Sequence, residues 1–298
     1  MWINEPGPIT DRITLLGREE SCVYLVGEDE YTIIGGGMAY IIPDIIKQLK
    51  RFEIDESKIK RILLLHTHFD HVGIAPYFRK HFDDLKVFSS PRGKELLNKP
   101  QVSTSIKEMN VGLLAGQKMD DRVDEFGLNY DLFPVDEALK GGDVVNWGGV
   151  ELEIIDAPGH SSCSIGAYMP KDKALFASDA GGIPFSGAIF ASGNSNFTKY
   201  QQSLERFATY DVEIHLAEHY GAFTENEGKT FMKRSIESAS QTRKMLDESY
   251  ARTRDIKKTA TELTDIFMKE AEDYFLPRPI MEIVVEQMVR HIAKVMDE

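Results

Sequence analysis

A mixed α/β chain with a helical C-terminal extension is predicted by three features of the sequence. Short apolar runs bounded by Gly and acidic residues alternate with stretches of helical spacing over the first two thirds of the 298 residues. Their order, strand-rich, helical, strand-rich, helical, suits layers packed on one another. From Thr224 onward the pattern changes to long helical stretches.

The elements follow in order. Residues 13–16, 22–26 and 31–34 read as short strands, the last ended by Gly35-Gly36-Gly37. No phosphate-loop Lys-Ser/Thr follows those glycines, so they are not read as a nucleotide site. Residues 41–53 carry helical spacing at Ile42, Ile45, Ile46 and Leu49. Residues 62–65 form a buried strand after Lys60-Arg61, and a helix is expected from Val72. Residues 86–89 read as a strand. Residues 92–128 are helical and polar, an insertion that serves either as a lid or as an ordinary surface helix pair. Strands resume at 144–147 and 150–155, joined by Gly148-Gly149 as a hairpin, then at 165–169 and 174–177. A helix over 198–209 and a strand over 213–216 precede the tail, which Pro277 and Pro279 interrupt.

Composition narrows the function. With 42% hydrophobic and 28% charged residues, the chain is an ordinary globular one with a sizeable core. A net charge of −13 disfavours nucleic-acid binding. Cys22 and Cys163 give no disulfide framework and fit a reduced, cytoplasmic setting. The first residues carry no signal-peptide pattern, and no apolar run approaches the roughly 20 residues that span a bilayer, so no membrane partner is expected.

The chemistry concentrates in His66-Thr67-His68-Phe69-Asp70-His71. Residues two apart on an extended chain point the same way, so His66 and His68 can face one ion. Asp70 and His71 turn toward a second point nearby. Imidazole and carboxylate are ligands for zinc, iron and manganese. Later strand ends add His160 in a Pro-Gly turn, Asp179 after an apolar run, and His219 after the last strand.

In this order the residues resemble the metallo-β-lactamase superfamily of dinuclear metallohydrolases, over residues 10–225 or so. The resemblance implies a four-layer αβ/βα sandwich with two divalent ions at one edge, zinc first and iron or manganese as alternatives. It implies that His66, His68 and His160 hold one ion, that Asp70, His71 and His219 hold the other, and that Asp179 bridges them. Two departures stand out. The family's Leu-Ile-Asp-Thr-Gly pattern reads Ile33-Ile34-Gly35-Gly36-Gly37, and its Pro-Gly-His-Gly reads Ala217-Glu218-His219-Tyr220. The tail stretch Asp273-Tyr274-Phe275-Leu276-Pro277 and the amphipathic helix after it look like the extension of the PqsE subgroup, quinolone-signal response proteins with acyl-CoA thioesterase activity.

The implied function is hydrolysis, in which a hydroxide bridged by two metals attacks a carbonyl, with Asp70 or Asp179 orienting it or moving its proton. A small-molecule thioester or ester is favoured. Lactonase or lactamase-like hydrolysis, an iron-dependent persulfide dioxygenase and a non-catalytic binding protein are the rivals. Residues 1–223 are expected as the hydrolase domain and 224–298 as a helical cap. The tail stripes, Ile256, Leu263, Ile266, Phe267 and Ile280, Ile283, Val284, Met288, bury against the active site or in a homodimer. His81 and His291 read as solvated, His215 as a satisfied core group, and Cys163 and Tyr220 as packing residues.

Overall fold

The computed structural model describes residues 1–82, 84–271, 274 and 276–297. After β1 (Trp2–Ile3), the chain builds a seven-stranded sheet from β2 (Gly7–Thr10), β3 (Ile13–Arg18), β4 (Ser21–Val26), β5 (Tyr31–Ile34), β6 (Ile59–Leu63), β7 (Lys86–Ser89) and β8 (Glu137–Ala138), in that order. Pairing is antiparallel up to β5 and parallel from β5 to β8. A second seven-stranded sheet contains β9 (Val144–Trp147), β10 (Val150–Asp156), β11 (Ile165–Met169) and β12 (Ala174–Phe176). Beyond β12 it continues through β15 (Ile214–Leu216) and β16 (Ala222–Phe223) to β1. The hairpin β13 (Ile183–Phe185) and β14 (Ala188–Phe190) stands apart from both.

Three cores separate four layers. Ile33, Ile62, Leu64 and Val23 face α1 (Ile42–Arg51), α2 (Ala75–His81), α3 (Pro91–Leu97) and α4 (Pro100–Gly116). Their chain neighbours Ile34, Leu63, Leu65 and Tyr24 point the other way, into the space between the sheets. This period-two division explains the unbroken apolar run before His66: the strand is buried on both faces. The outer face of the second sheet is covered by α5 (Phe197–Phe207) and α6 (Glu225–Thr253), on which α7 (Ile256–Glu270) and α8 (Arg278–Asp297) pack.

Gly148 and Gly149 both have positive φ and close the expected hairpin between β9 and β10. Other expectations are corrected. The strand before the motif ends at Leu63 rather than Leu65, and α2 begins at Ala75. Gly73 N instead donates to Gly37 O at 2.7 Å, which holds residues 72–74 in an irregular turn against the glycine run. In the tail, Ile266 and Ile283 are 42% and 53% exposed. The helix faces that bury are centred on Ala260, Leu263 and Phe267, and on Met281, Val285, Met288 and Ile292. The two isoleucines lie well off those faces at 100° per residue. Asp273 and Phe275 fall outside the described residues.

Candidate metal centre

Four strand ends converge on one point. Beyond β6 the chain passes buried Leu64 and Leu65 to His66 and His68, then turns through a 3-10 segment, Phe69–His71. Asn110 of α4 pins this loop, donating to Phe69 O at 2.8 Å while its own carbonyl accepts from Ala39 N at 3.1 Å. The Pro-Gly turn after β10 presents His160. Its Gly159 (φ +136°) lies so close to α5 that a Cβ would stand 2.1 Å from Tyr200 N, which excludes any side chain. Asp179 sits in the turn after β12, behind Ser178, whose φ of +49° is strained for a non-glycine residue. His219 follows β15. Its loop is strapped to the β3–β4 hairpin by Tyr220 N to Glu19 O in the turn and by Tyr24 Oη of β4 to Ala217 O.

The structure brings all seven expected ligands together. His160 Nε2 lies 3.3 Å from His66 Nε2 and 2.9 Å from His68 Nδ1. His219 Nε2 lies 3.0 Å from His71 Nε2, and an Asp70 oxygen is 3.7 Å from the first of these nitrogens and 3.6 Å from the second. Asp179 stands between the groups. One of its oxygens is 3.3 Å from His71 Nε2 and 3.4 Å from His160 Nε2, and the other is 3.7 Å from His219 Nε2.

Proton assignments test whether these donors suit a metal. His160 Nδ1 donates to Ser192 O at 2.8 Å and His219 Nδ1 to Glu20 O at 2.6 Å. With Nδ1 donating there, each ring turns its Nε2 toward the cluster. The Ser178 hydroxyl is given to Glu218, so it accepts from His66 Nδ1 at 3.2 Å, and His66 Nε2 turns the same way. Bare lone pairs 3.3 Å apart repel one another unless a cation lies among them, and outer hydrogen bonds of this kind are what metal-binding imidazoles use. Burial pushes His66 and His160 below the usual imidazole range and His68 to about 3, which keeps them in the neutral, ligating form. His71 differs. Burial pulls it down, but Asp179, Asp70 and Glu218 outweigh that and hold it well above the usual range. Burial likewise opposes ionisation of Asp179, yet His71, His219 and His160 keep its carboxyl well below the carboxylate range. This corner of the site demands positive charge.

A cavity of about 280 Å³ opens onto the cluster. His68, Asp70, His160, Asp179 and His219 form its polar floor. Its walls are Ile106 and Met109 of α4, Ile183 and Phe190 of the small hairpin, and Tyr274, Leu276, Met281 and Val284 of the tail. No Lys or Arg lines it among the described residues.

Among the remaining candidates, Cys163 packs as expected, its Sγ 3.3 Å from Thr67 Oγ1 and 3.2 Å from Ser161 Oγ. Tyr220 packs against Phe185 with ring centroids 5.0 Å apart. His291 is not solvated. It is half-buried, with Nε2 3.1 Å from Thr198 Oγ1, because α8 lies over the start of α5. His81 is exposed, and its Nε2 meets Glu125 O at 2.9 Å. His215 is buried but not satisfied: neither ring nitrogen has a partner among the described residues. Sequence reasoning marked Glu218 only as a departure beside His219 and gave no role to Ser178 or Ser192. Their partners are distant in the chain, and no spacing rule signals them.

This fold and this clustering of ligands at strand ends define a metallohydrolase scaffold. The metallo-beta-lactamase superfamily model matches residues 16–219, and the chain belongs to that superfamily. It is 27% identical over 172 residues to the Bacillus subtilis probable metallo-hydrolase YqgX, covering 57% of this chain and 69% of that one. It is 27% identical over 153 residues to the hydroxyacylglutathione hydrolase GloC of Haemophilus influenzae, covering 51% of this chain and 60% of the relative's length. A metallo-beta-lactamase family protein of Thermus thermophilus shares the fold over 98% of this chain and 92% of its own, with a TM-score of 0.64 and 18% identity. No helix among the described residues is long and apolar enough to cross a membrane.

Proposed function

We propose that the chain is a metal-dependent hydrolase of thioesters or esters carrying an uncharged, apolar acyl group. The observation that carries this reading is the cavity: an open, mostly apolar pocket without Lys or Arg among the described residues, set on a floor of histidines and carboxylates. Two divalent ions, zinc in the first instance, would be held by His66, His68 and His160 and by Asp70, His71 and His219, with Asp179 shared. When bound, such a pair supplies an acidified water and positive charge for a developing oxyanion.

The chain's own residues do the rest. Asp70 and Asp179 face the cavity and accept or relay the proton released at attack. Ile106, Phe190, Leu276 and Val284 hold the acyl chain and exclude water. Residues 1–223 then act as the hydrolase domain, with the 92–128 insertion as one wall, and residues 224–298 act as its cap. The relative named for hydroxyacylglutathione hydrolysis and the tail's likeness to the PqsE subgroup support an acyl–thiol substrate. The absence of cationic lining among the described residues argues against an anionic glutathione conjugate.

The test is elemental analysis of protein purified without added metal, followed by a screen of acyl thioesters and esters of graded chain length. Lactones, β-lactams and a persulfide with oxygen monitoring are run beside them. Hydrolysis of neutral acyl thioesters or esters supports the reading. Turnover confined to the persulfide, with oxygen consumed, overturns it.

A further inference from the structure

We infer that Glu218 is a positioning residue shared by both halves of the metal centre: one buried carboxylate orients His71 directly and His66 through Ser178.

The geometry is a short chain of hydrogen bonds. His71 Nδ1 donates to Glu218 Oε2 at 2.7 Å. Ser178 Oγ donates to the same oxygen. Having given up its proton, Ser178 Oγ accepts from His66 Nδ1 at 3.2 Å. His66 Nδ1 itself stands 4.0 Å from that oxygen, so the hydroxyl fills the gap. One carboxylate oxygen thereby fixes the tautomer and orientation of a ring in each ligand group and leaves both Nε2 atoms facing the centre.

Among the described residues the surroundings offer the rest of this carboxylate no hydrogen-bond partner. Glu218 is 2% exposed. Its other oxygen, Oε1, has no hydrogen-bond partner among the described residues. A buried carboxylate with one idle oxygen is costly unless its charge is compensated. Oε1 instead rests against Gly35, where a Cβ would stand 2.2 Å away and where φ is +92°. The glycine thus leaves the space that the carboxylate occupies. The backbone on either side is pinned as well: Glu218 O accepts from Cys22 N at 2.7 Å, and His219 Nδ1 holds Glu20 O. The strained Ser178 sits immediately before Asp179, so the same bond that orients His66 fixes the backbone presenting the shared aspartate.

This inference rests on the metal-centre reading, and the test separates the two. Zinc affinity is measured by chelator competition in three proteins: wild type, His68→Ala to isolate the second group, and His219→Ala to isolate the first. Into each go Ser178→Ala, Glu218→Gln and Glu218→Ala, with circular dichroism checking the fold. Glu218→Ala should weaken zinc about 10–100-fold in both isolated groups, the usual scale for losing an outer hydrogen-bond partner. Ser178→Ala should do so more strongly in the first group, where it loses the bond to His66, than in the second, which it reaches only through the backbone of Asp179. Glu218→Gln keeps the shape and loses the charge, and should weaken both groups by less than Ala does. If Glu218→Ala fails to fold, the Gln variant decides by the same comparison. Unchanged affinity in either group on replacing Glu218, or an equal effect of Ser178→Ala on both groups, overturns the inference. If wild type itself binds no zinc, it is the metal-centre reading that falls.

Discussion

His215 lies flat against Phe231, with ring centroids 3.7 Å apart and planes 13° from parallel. The pair joins β15 of the second sheet to α6 of the tail, in the layer that also buries Phe207 and Met232. Neither nitrogen of the imidazole is paired among the described residues, so the ring packs there as an aromatic body and not as a donor. Burial alone lowers its pKa to about 3.

A pH dependence follows. The unfolded ring titrates near 6.5, while the folded one stays neutral down to about 3. Between those values the unfolded state binds more protons, so stability falls as pH drops below 6.5 and levels off near 3. From this residue alone, moving from about pH 7 to about pH 5 should cost about 2 kcal/mol. Urea melts of wild type and His215→Leu at both pH values measure it, as the difference between their two slopes with pH. Equal losses in the two proteins would rule the residue out.

The sequence exposes some parts of this molecule better than others. Ile62 to His71 declares itself because a strand buried on both faces must be apolar throughout, and polar residues at its end then stand out. His160, Asp179 and His219 are readable for the same reason, each following an apolar run. The hairpin from Ile183 to Phe190 is not readable. It has only three residues per strand, one of them Pro184, and among the described residues its strands pair with each other and with neither large sheet. Ile266 and Ile283 show the limit of counting apolar positions, since the buried face is chosen by the neighbouring helices. Glu218 shows a deeper limit. Its importance lies in contacts with His71, 147 positions away, and with Ser178, 40 away. Gly35 reads as a missing family aspartate until the structure shows a carboxylate arriving at the same spot from another strand end.

Metal content tests the ligand assignment. Wild type should carry two ions per chain about 3.5–4 Å apart, the spacing of paired catalytic metals. His68→Ala removes one of three donors from the first group, so bound metal should fall toward one per chain. The kcat/KM for the best substrate should drop by ~10²-fold or more, the scale of losing one electrostatic element of a site. Full activity with two metals retained would refute the assignment of His68.

Chain-length preference tests the cavity. Val284 lies on α8 and is one of the cavity's apolar lining residues. Val284→Trp should shorten the acyl chain accepted, cutting kcat/KM for the longest good substrate by ~10-fold or more while sparing the shortest, because each methylene in such a pocket is worth roughly 10–200-fold. Steady-state kinetics over a homologous acyl series give the answer. A uniform loss at every length would mean that the residue acts on folding rather than on fit.

The tail is continuous with the core on the outer face of the second sheet. Phe231 and Met232 of α6 share one buried cluster with Leu175 of β12 and Phe207 of α5, while Met281, Met288 and Ile292 of α8 extend that cluster across the helices. Phe231→Ala should therefore cost about 3–5 kcal/mol, the range for emptying a buried aromatic site, and denaturant melts will show it. Deletion after Thr224 should be more severe, because it strips the cover from one face of the second sheet and takes away Tyr274, Leu276 and Val284 from the cavity. The truncated chain should lose cooperative unfolding and bind little metal. A truncated protein that stayed folded and metal-loaded, with unchanged kcat/KM and chain-length preference, would show that the extension neither completes the core nor roofs the site.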